Sequence, residues 1–404
     1  MTDLIDLEVG APAHGGHCVA RHDGRVIFVR HALPGENVRA RLTESATDAR
    51  FWRADAVEIV DASPDRVDSA WPEAGPGGVG GGELAHVSLQ GQRAWKLSVL
   101  REAFERFARQ EYAGDIISVP TALGRDEDEH PGLRYRTRIS AVADAQGRAS
   151  MHLHRSRETR ALEAMPLATA TLESTLVEGR FPAGARIAMA ESSTGELRVL
   201  ADGIPWRAGR LDKRPNAPRA VHETVSVGER TWDFRVDAAG FWQVHRDAPA
   251  LLVSEVLTRV GDAERVADLY SGAGLLSVPL ADGGREVVAI ESDADGARSA
   301  RRNAHAAPSL RVVHGDVRLS LQEGLGDLDA VVLDPPRSGA GAATIAALAQ
   351  TGVARVVYVA CDPVALARDV SLLRDEGYDL RDAQAIDLFP MTHHVETVAT
   401  FLRR

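Results

Sequence analysis

A thiol and two carboxylates in this chain stand where an open α/β sheet would gather them. Cys361, in Val359-Ala360-Cys361-Asp362-Pro363, closes an apolar run from Val353 to Ala360 that reads as a buried parallel strand. Asp334 ends an earlier strand, Val331-Val332-Leu333-Asp334, and Glu396 opens a later one, Val395 to Leu402. Carboxyl ends of parallel strands are where such sheets hold ligands. A lone cysteine at a strand end reads as a small core hydrophobe, because free Cys is among the most buried residue types. With two acids beside it, the thiol suits covalent activation of an electron-poor ring. The thiolate adds to one ring carbon, the neighbouring carbon becomes nucleophilic, and a carboxylate later removes its proton. In that scheme Cys361 is the nucleophile and Glu396 the base.

A second group of residues suits a nucleoside cofactor. Asp268-Leu269-Tyr270-Ser271-Gly272-Ala273-Gly274 follows the strand Arg265-Val266-Ala267 and opens an apolar helix, the sharp glycine turn that lets backbone approach a ligand. The next strand ends in Glu291, placed to accept from both ribose hydroxyls, and Asp316 follows the third strand, placed to meet an adenine amino group. Ser277 stands where a dinucleotide cradle would have its third glycine, and acids line the pocket. Pyrophosphate disfavours that charge, whereas the cationic S-adenosylmethionine tolerates it, so a methyl donor is expected rather than NAD. The loop Asp334-Pro335-Pro336-Arg337 is rigid and carries arginine where amine-directed methyltransferases carry an aromatic, which points away from an exocyclic amine. Carbon C5 of uracil, a poor nucleophile until a thiolate adds at C6, is the expected acceptor.

Several elements must position these groups. The 404 residues exceed one core and suggest two to three domains. Residues 1 to about 60 alternate in short apolar segments separated by Gly15-Gly16, Asp23-Gly24 and Pro34-Gly35, the pattern of a small β-barrel. Its arginines, among them Arg21, Arg25, Arg39 and Arg53, together with Phe51-Trp52, match the basic groove and stacking platform of oligonucleotide-binding barrels. A glycine-rich loop at 75–82 precedes a helix over Gln92 to Ala108, whose Leu97, Leu100, Phe104 and Phe107 are spaced as core. Every second residue of Arg134-Tyr135-Arg136-Thr137-Arg138-Ile139 is basic, which predicts a strand with one cationic, RNA-facing side. From about 250, strands and helices alternate, with strands near 265–270, 286–291, 310–314, 329–333 and 354–360 and a closing antiparallel hairpin.

Composition narrows the classes. A net charge of −11 argues against a surface that coats nucleic acid generally, though it leaves room for a local patch. No apolar run approaches the ~18 residues of a membrane span. The acidic start Thr2-Asp3-Leu4-Ile5-Asp6 is unlike a signal peptide, and a cytoplasmic protein is expected. Only Cys18 and Cys361 are present, so neither a disulfide framework nor an all-cysteine metal site can be built.

Asp334-Pro335-Pro336-Arg337, Cys361-Asp362-Pro363 with Leu366-Ala367-Arg368-Asp369, and Phe389-Pro390 through Glu396 together resemble the RNA uracil-5-methyltransferase family, whose members make 5-methyluridine in tRNA or large-subunit rRNA. The resemblance covers nearly the whole chain. It implies an α/β fold with a TRAM-like, OB-like barrel at 1–62, a central α+β RNA-recognition domain at 63–240, and a Rossmann-like S-adenosylmethionine-dependent domain at 241–404. It further implies that Gln243, Asp268, Tyr270, Gly272, Glu291 and Asp316 contact S-adenosylmethionine and that Asp334 contacts the target uracil. His245 departs from the Asn of the family's Phe-x-Gln-Val-Asn segment, and His393 and His394 gain no role. Many relatives hold an iron–sulfur cluster on four cysteines, and here Trp71, Val79, Gly82 and Met165 occupy those positions. Thiolates are required for such a cluster, so none is expected, with apolar packing of Trp71, Val79 and Met165 in its place. RNA is the expected partner, with no membrane, no obligate protein partner and a monomeric state. Cytosine-5 methylation through the same adduct, and a non-catalytic RNA-binding or folding protein, are the alternatives. Against the first stands the lack of a second cysteine near the site, and against the second the retention of all three reactive groups.

Overall fold

A computed structural model describes residues 4–123 and 129–404; Met1 to Asp3, part of the acidic start, lie outside it. Strands Leu4–Ala13, His17–His22, Arg25–Arg30, Asn37–Glu44 and Phe51–Asp61 close into a barrel, in which the third and fifth are neighbours. Period-two alternation turns Leu7, Val9, Ala20, Ile27, Val29, Val38, Ala40, Ala54 and Ala56 inward. Closure leaves no unpaired edge. His17–His22 is a strand that the apolar pattern alone does not announce, because its inward residues are the small Cys18 and Ala20. Cys18 is fully buried, with Sγ 3.4 Å from the Ala32 carbonyl, and burial pushes its thiol up to about 12. It is inert core.

The middle of the chain carries a seven-stranded sheet running from Arg210–Leu211 at one edge through Arg186–Glu191 and Arg138–Ala143 to Thr159–Ala161 at the other. The expected cationic strand over 134–139 is not formed. Arg134 is left-handed at φ 57° and pairs with Glu173, and regular strand begins only at Arg138. Arg138 is buried, held by Glu223 at 3.4 Å and by the carbonyls of Asp237 and Gly240. Partners compensate its burial, so Arg134 and Arg138 are held by acceptors from other elements, while Arg136 is half-buried between them. Trp71, Val79 and Met165 share one apolar core, with Trp71 1 % exposed. A side chain at Gly82 would meet the Trp71 ring at 2.9 Å. The indole fills the space among these positions, and no thiolate stands there to hold iron.

The C-terminal sheet has strand order Leu310–His314, Glu286–Glu291, Arg265–Leu269, Ala330–Leu333, Arg355–Ala360, Glu396–Arg403, Tyr378–Asp387, Ile116–Ser118. The first five are parallel, and Glu396–Arg403 runs antiparallel to both neighbours. Both faces of the central strands are covered, so their interior positions are apolar on both sides. Ala267, Leu269, Val331 and Leu333 enter one core, and Val266, Ala330 and Val332 enter the other. The order reverses between Arg265–Leu269 and Ala330–Leu333, which opens a crevice at their carboxyl ends. Two elements from the middle of the chain join this sheet: strand Ile116–Ser118 at its edge, and helix Leu89–Ala103, which continues as a π-helical turn over Phe104–Ala108. Phe104 is core as expected, whereas Phe107 is half-buried, with the guanidinium groups of Arg106 and Arg368 near its ring. Lys96 fixes the helix with a buried ammonium that donates to Asp387 at 2.5 Å and to the Phe389 carbonyl at 3.0 Å.

Candidate active site

Cys361, Asp334 and Glu396 come from three strands that end at one crevice. Ala360 pairs with Thr397 in the antiparallel ladder, and the next step of that register sets Cys361 opposite Glu396. Asp334 leaves the adjacent parallel strand with its amide donating to the Leu269 carbonyl at 3.3 Å. The thiol is half-buried and Glu396 is 3 % exposed. Burial pushes the thiol up to about 12, and the charges of Glu396 and Asp334 add to the rise while Arg337 opposes it. Asp334 is raised to about 7 by burial and by Asp268. Glu396 is raised well above the carboxylate range by burial and by Asp334. Three acids in a low-dielectric cleft resist ionising together. A cation placed among them lowers all of these proton affinities and makes both thiolate and carboxylate accessible.

The cofactor side lies against the same cleft. Asp268 is buried, with one carboxylate oxygen accepting from the Ser277 hydroxyl and the other, Oδ1, without a partner among the described residues. Burial and then the charge of Glu291 raise it to about 7, against the Ser277 hydrogen bond. Tyr270 takes the left-handed conformation at φ 65°, a strained state for a ring-bearing residue that turns the chain away from the strand. Gly272, at φ 53°, leaves open space where a side chain would project. Glu291 faces this turn, accepting from the Gly272 amide at 2.8 Å and the Asp293 amide at 2.6 Å. It therefore shapes the glycine loop. Asp316 is exposed and caps helix Val317–Glu323 through the Leu319 amide at 2.9 Å. Gln243 is buried beside Trp242, while Phe241 before it is 72 % exposed. An orphaned buried carboxylate oxygen, an acid-lined wall and an open glycine turn fit a nucleoside bearing positive charge and hydroxyls. S-adenosylmethionine has both.

Several contacts at this crevice join residues too far apart in sequence to be predicted. His14 of the barrel lies 2.7 Å from Asp362, the residue after Cys361. His393 stands 3.5 Å from Glu83 and 4.0 Å, centroid to centroid, from the ring of His394. His394 is driven down to about 3 by burial and then by His393 and Arg337, so it is a neutral ring two residues before Glu396. His245 stacks on Tyr135 at 5.0 Å, and its Nδ1 accepts from the Asp247 amide at 3.1 Å, a role in shaping the interdomain turn.

Comparisons with known proteins agree with this geometry. The TRAM domain profile matches residues 4–57, the tRNA (Uracil-5-)-methyltransferase profile residues 318–404, and the methyltransferase small domain profile residues 232–359. An RNA methyltransferase of Bifidobacterium longum is 41% identical, with 98% of this chain and 96% of the relative covered. The 23S rRNA (uracil(1939)-C(5))-methyltransferase RlmD of a Shewanella species is 30% identical over 96% of this chain and 93% of its own. Among solved structures, Pyrococcus abyssi tRNA (uracil-54, C5)-methyltransferase in complex with S-adenosyl-L-homocysteine superposes with a TM-score of 0.69 at 21% identity, covering 98% of this chain and 100% of that one.

Proposed function

The chain belongs to the RNA uracil-C5 methyltransferase family and is an S-adenosylmethionine-dependent RNA (uracil-C5-)methyltransferase; from that premise we propose that it methylates a uridine of rRNA or tRNA through a covalent bond between Cys361 and C6. The observation that carries the mechanism is the opposition of Cys361 and Glu396 across one strand pair, with Asp334 beside them. Cys361 gives its proton to solvent and its sulfur adds to C6, which moves the C5–C6 electron pair onto C5. Asp334 accepts a hydrogen bond from the edge of the uracil and fixes the orientation of the ring against the thiol. S-adenosylmethionine, when bound, supplies an electrophilic methyl group on a cationic sulfur. C5 takes that methyl group, and the electrons of the broken S–CH3 bond stay with the departing sulfur. Glu396 then removes the C5 proton, the C5–C6 double bond re-forms, and the C6–S bond breaks to return Cys361 as thiolate.

Asp268, Tyr270, Gly272, Glu291, Asp316 and Gln243 hold the donor in this reading, and Asp334 borders donor and acceptor alike. The uridine must leave its stack to bring C5 and C6 to a half-buried thiol and a buried carboxylate. The barrel supports RNA binding with two cation–aromatic pairs on its surface, Arg25 over Trp52 at 4.6 Å and Arg53 over Phe51 at 4.7 Å. Cys361 is the lone cysteine of the catalytic half, which favours uracil over a cytosine mechanism that employs a second thiol. Incubation of rRNA and tRNA fractions with methyl-labelled S-adenosylmethionine, followed by nucleoside analysis, should yield 5-methyluridine in one fraction. Label in 5-methylcytidine, or equal label with Cys361→Ala, would overturn the proposal.

A further inference from the structure

One side chain links the barrel to the residue after the nucleophile. His14 lies in the turn between strands Leu4–Ala13 and His17–His22, and its Nε2 stands 2.7 Å from Asp362 Oδ2. The other oxygen of Asp362 accepts from the amides of Val364 at 3.0 Å and Ala365 at 2.9 Å, which caps helix Pro363–Asp375. Burial works against ionisation of Asp362, but the His14 hydrogen bond and the two helix amides outweigh it and hold the carboxyl below its usual range. An ionised carboxylate only accepts, so His14 Nε2 is the donor. Asp362 is thus gripped from two sides, by its own helix and by another domain, one residue after the thiol.

The turn that carries His14 is itself seated by both other domains. Gly15 and Gly16 are left-handed at φ 100° and 80°, and a side chain at Gly16 would meet Glu83 at 2.9 Å and His393 Nδ1 at 3.3 Å. Glu83 belongs to the central segment and His393 precedes the base Glu396. The ring of His14 also meets that of His393 edge-on at 6.1 Å. Beside this junction a cleft of about 960 Å³ separates barrel from catalytic domain, with His17, Arg21 and Phe28 on one wall and Arg106, Phe107 and Arg368 on the other.

We infer that His14 is a positioning residue for the methyl transfer: its hydrogen bond to Asp362 couples the seating of the barrel to the placement of Cys361 Sγ. This rests on Cys361 being the nucleophile. His14 touches no reacting atom in this account, so its effect falls on the rate of adduct formation and leaves RNA binding unchanged.

The test compares wild type, His14→Ala and His14→Gln in full-length protein, using 5-fluorouridine RNA and S-adenosylmethionine in single-turnover adduct formation. Loss of one charge-assisted hydrogen bond should slow adduct formation and kcat by about tenfold in His14→Ala. The KM for RNA should stay within about twofold. His14→Gln, whose amide can donate to Asp362, should recover most of the rate, a rescue that a general packing role would not give. His14 is 41% exposed at its side chain, and matched thermal midpoints establish that both variants are folded. An unchanged adduct rate in His14→Ala, a rise in KM at constant kcat, or a Gln variant as slow as Ala overturns the inference. Failure of the wild type itself to form an adduct while still methylating RNA is a separate result. It removes Cys361 as nucleophile, and the inference with it.

Discussion

Cys361 and Glu396 face one another across an antiparallel strand pair, one step beyond the Ala360–Thr397 pairing. That register brings the thiol and the carboxylate to one end of the same strand pair, close enough for the charge of Glu396 to raise the thiol; in the proposed mechanism one opens the adduct and the other closes it. Glu396→Gln keeps the shape and removes the base. We expect this variant to form the C6 adduct and transfer the methyl group but fail to release product, so that a methylated protein–RNA species accumulates on denaturing gels with ordinary RNA. Turnover within about tenfold of wild type would remove Glu396 as the C5 base, since a positioned base contributes roughly 10²-fold or more.

Asp268 and Asp334 are each raised to about 7 in the absence of cofactor. A sulfonium among them favours their ionised forms, so binding releases protons, and affinity for S-adenosylmethionine should rise as pH increases through 7. Titration calorimetry in two buffers of different ionisation enthalpy measures the proton count directly. S-adenosylhomocysteine, which lacks the positive sulfur, should show a weaker pH dependence. Identical profiles for the two ligands would contradict this electrostatic account.

The same groups predict a sign for stability. A carboxyl raised in the folded state binds its proton more tightly there than in the unfolded chain. Folded stability is then unaffected below the unfolded value near 4 and declines as pH rises from there through 7. A rise to about 7 corresponds to about 4 kcal/mol per group as an upper bound. Urea titrations across pH 4 to 8 should show this loss, with Asp268→Asn and Asp334→Asn reducing it and saturating S-adenosylmethionine offsetting it. Stability that climbs over this interval, with no change in the Asn variants, would contradict the assignment.

Lys96 and Asp387 form an ion pair buried at both ends. Lys96→Met alone leaves a buried, unpaired carboxylate and should cost about 3–5 kcal/mol, whereas Lys96→Met with Asp387→Leu should recover much of it. Because Lys96 also holds the Phe389 carbonyl, both variants should lower activity by loosening the segment that leads to Glu396. Equal stability of the single and double variants in urea unfolding would show that burial of the charge is not the cost.

Trp71 packs in one core with Val79 and Met165 and against Gly82. Trp71→Ala should cost about 3–5 kcal/mol through the cavity it leaves. Gly82→Cys should destabilise by about 1–3 kcal/mol, because its side chain would meet Trp71 at 2.9 Å and Ala74 at 2.8 Å. Thermal melts with and without anaerobic iron and sulfide test both effects. Stabilisation of Gly82→Cys, with or without metal, would contradict the packing described.

The parts of the fold legible from sequence are those with local signatures. The five parallel strands read as apolar runs because both faces of that sheet are covered, and the barrel reads as alternation because one face is wet. Cys361, Asp334 and Glu396 are legible as a candidate site because each sits at a strand end within a distinctive run. What escaped depends on distance or brevity. Ile116–Ser118 spans three residues and gains its identity only from its partner strand. Lys96 finds Asp387 across 291 residues, and His14 finds Asp362 across 348. The alternation at 134–138 reads as a solvent face because that is the default for unpaired charge, whereas the acceptors Glu173 and Glu223 that hold Arg134 and Arg138 lie elsewhere in the chain.

The central claim, a covalent bond from Cys361 to C6 of the target uracil, is tested most directly with RNA carrying 5-fluorouridine. Fluorine at C5 cannot leave as a proton does, so the adduct should persist. Mass spectrometry of the digested complex should find a methylated fluorouridine attached to the peptide containing Cys361, and none in Cys361→Ala. An active enzyme that yields no trapped species, or one whose attachment survives in Cys361→Ala, would contradict the account.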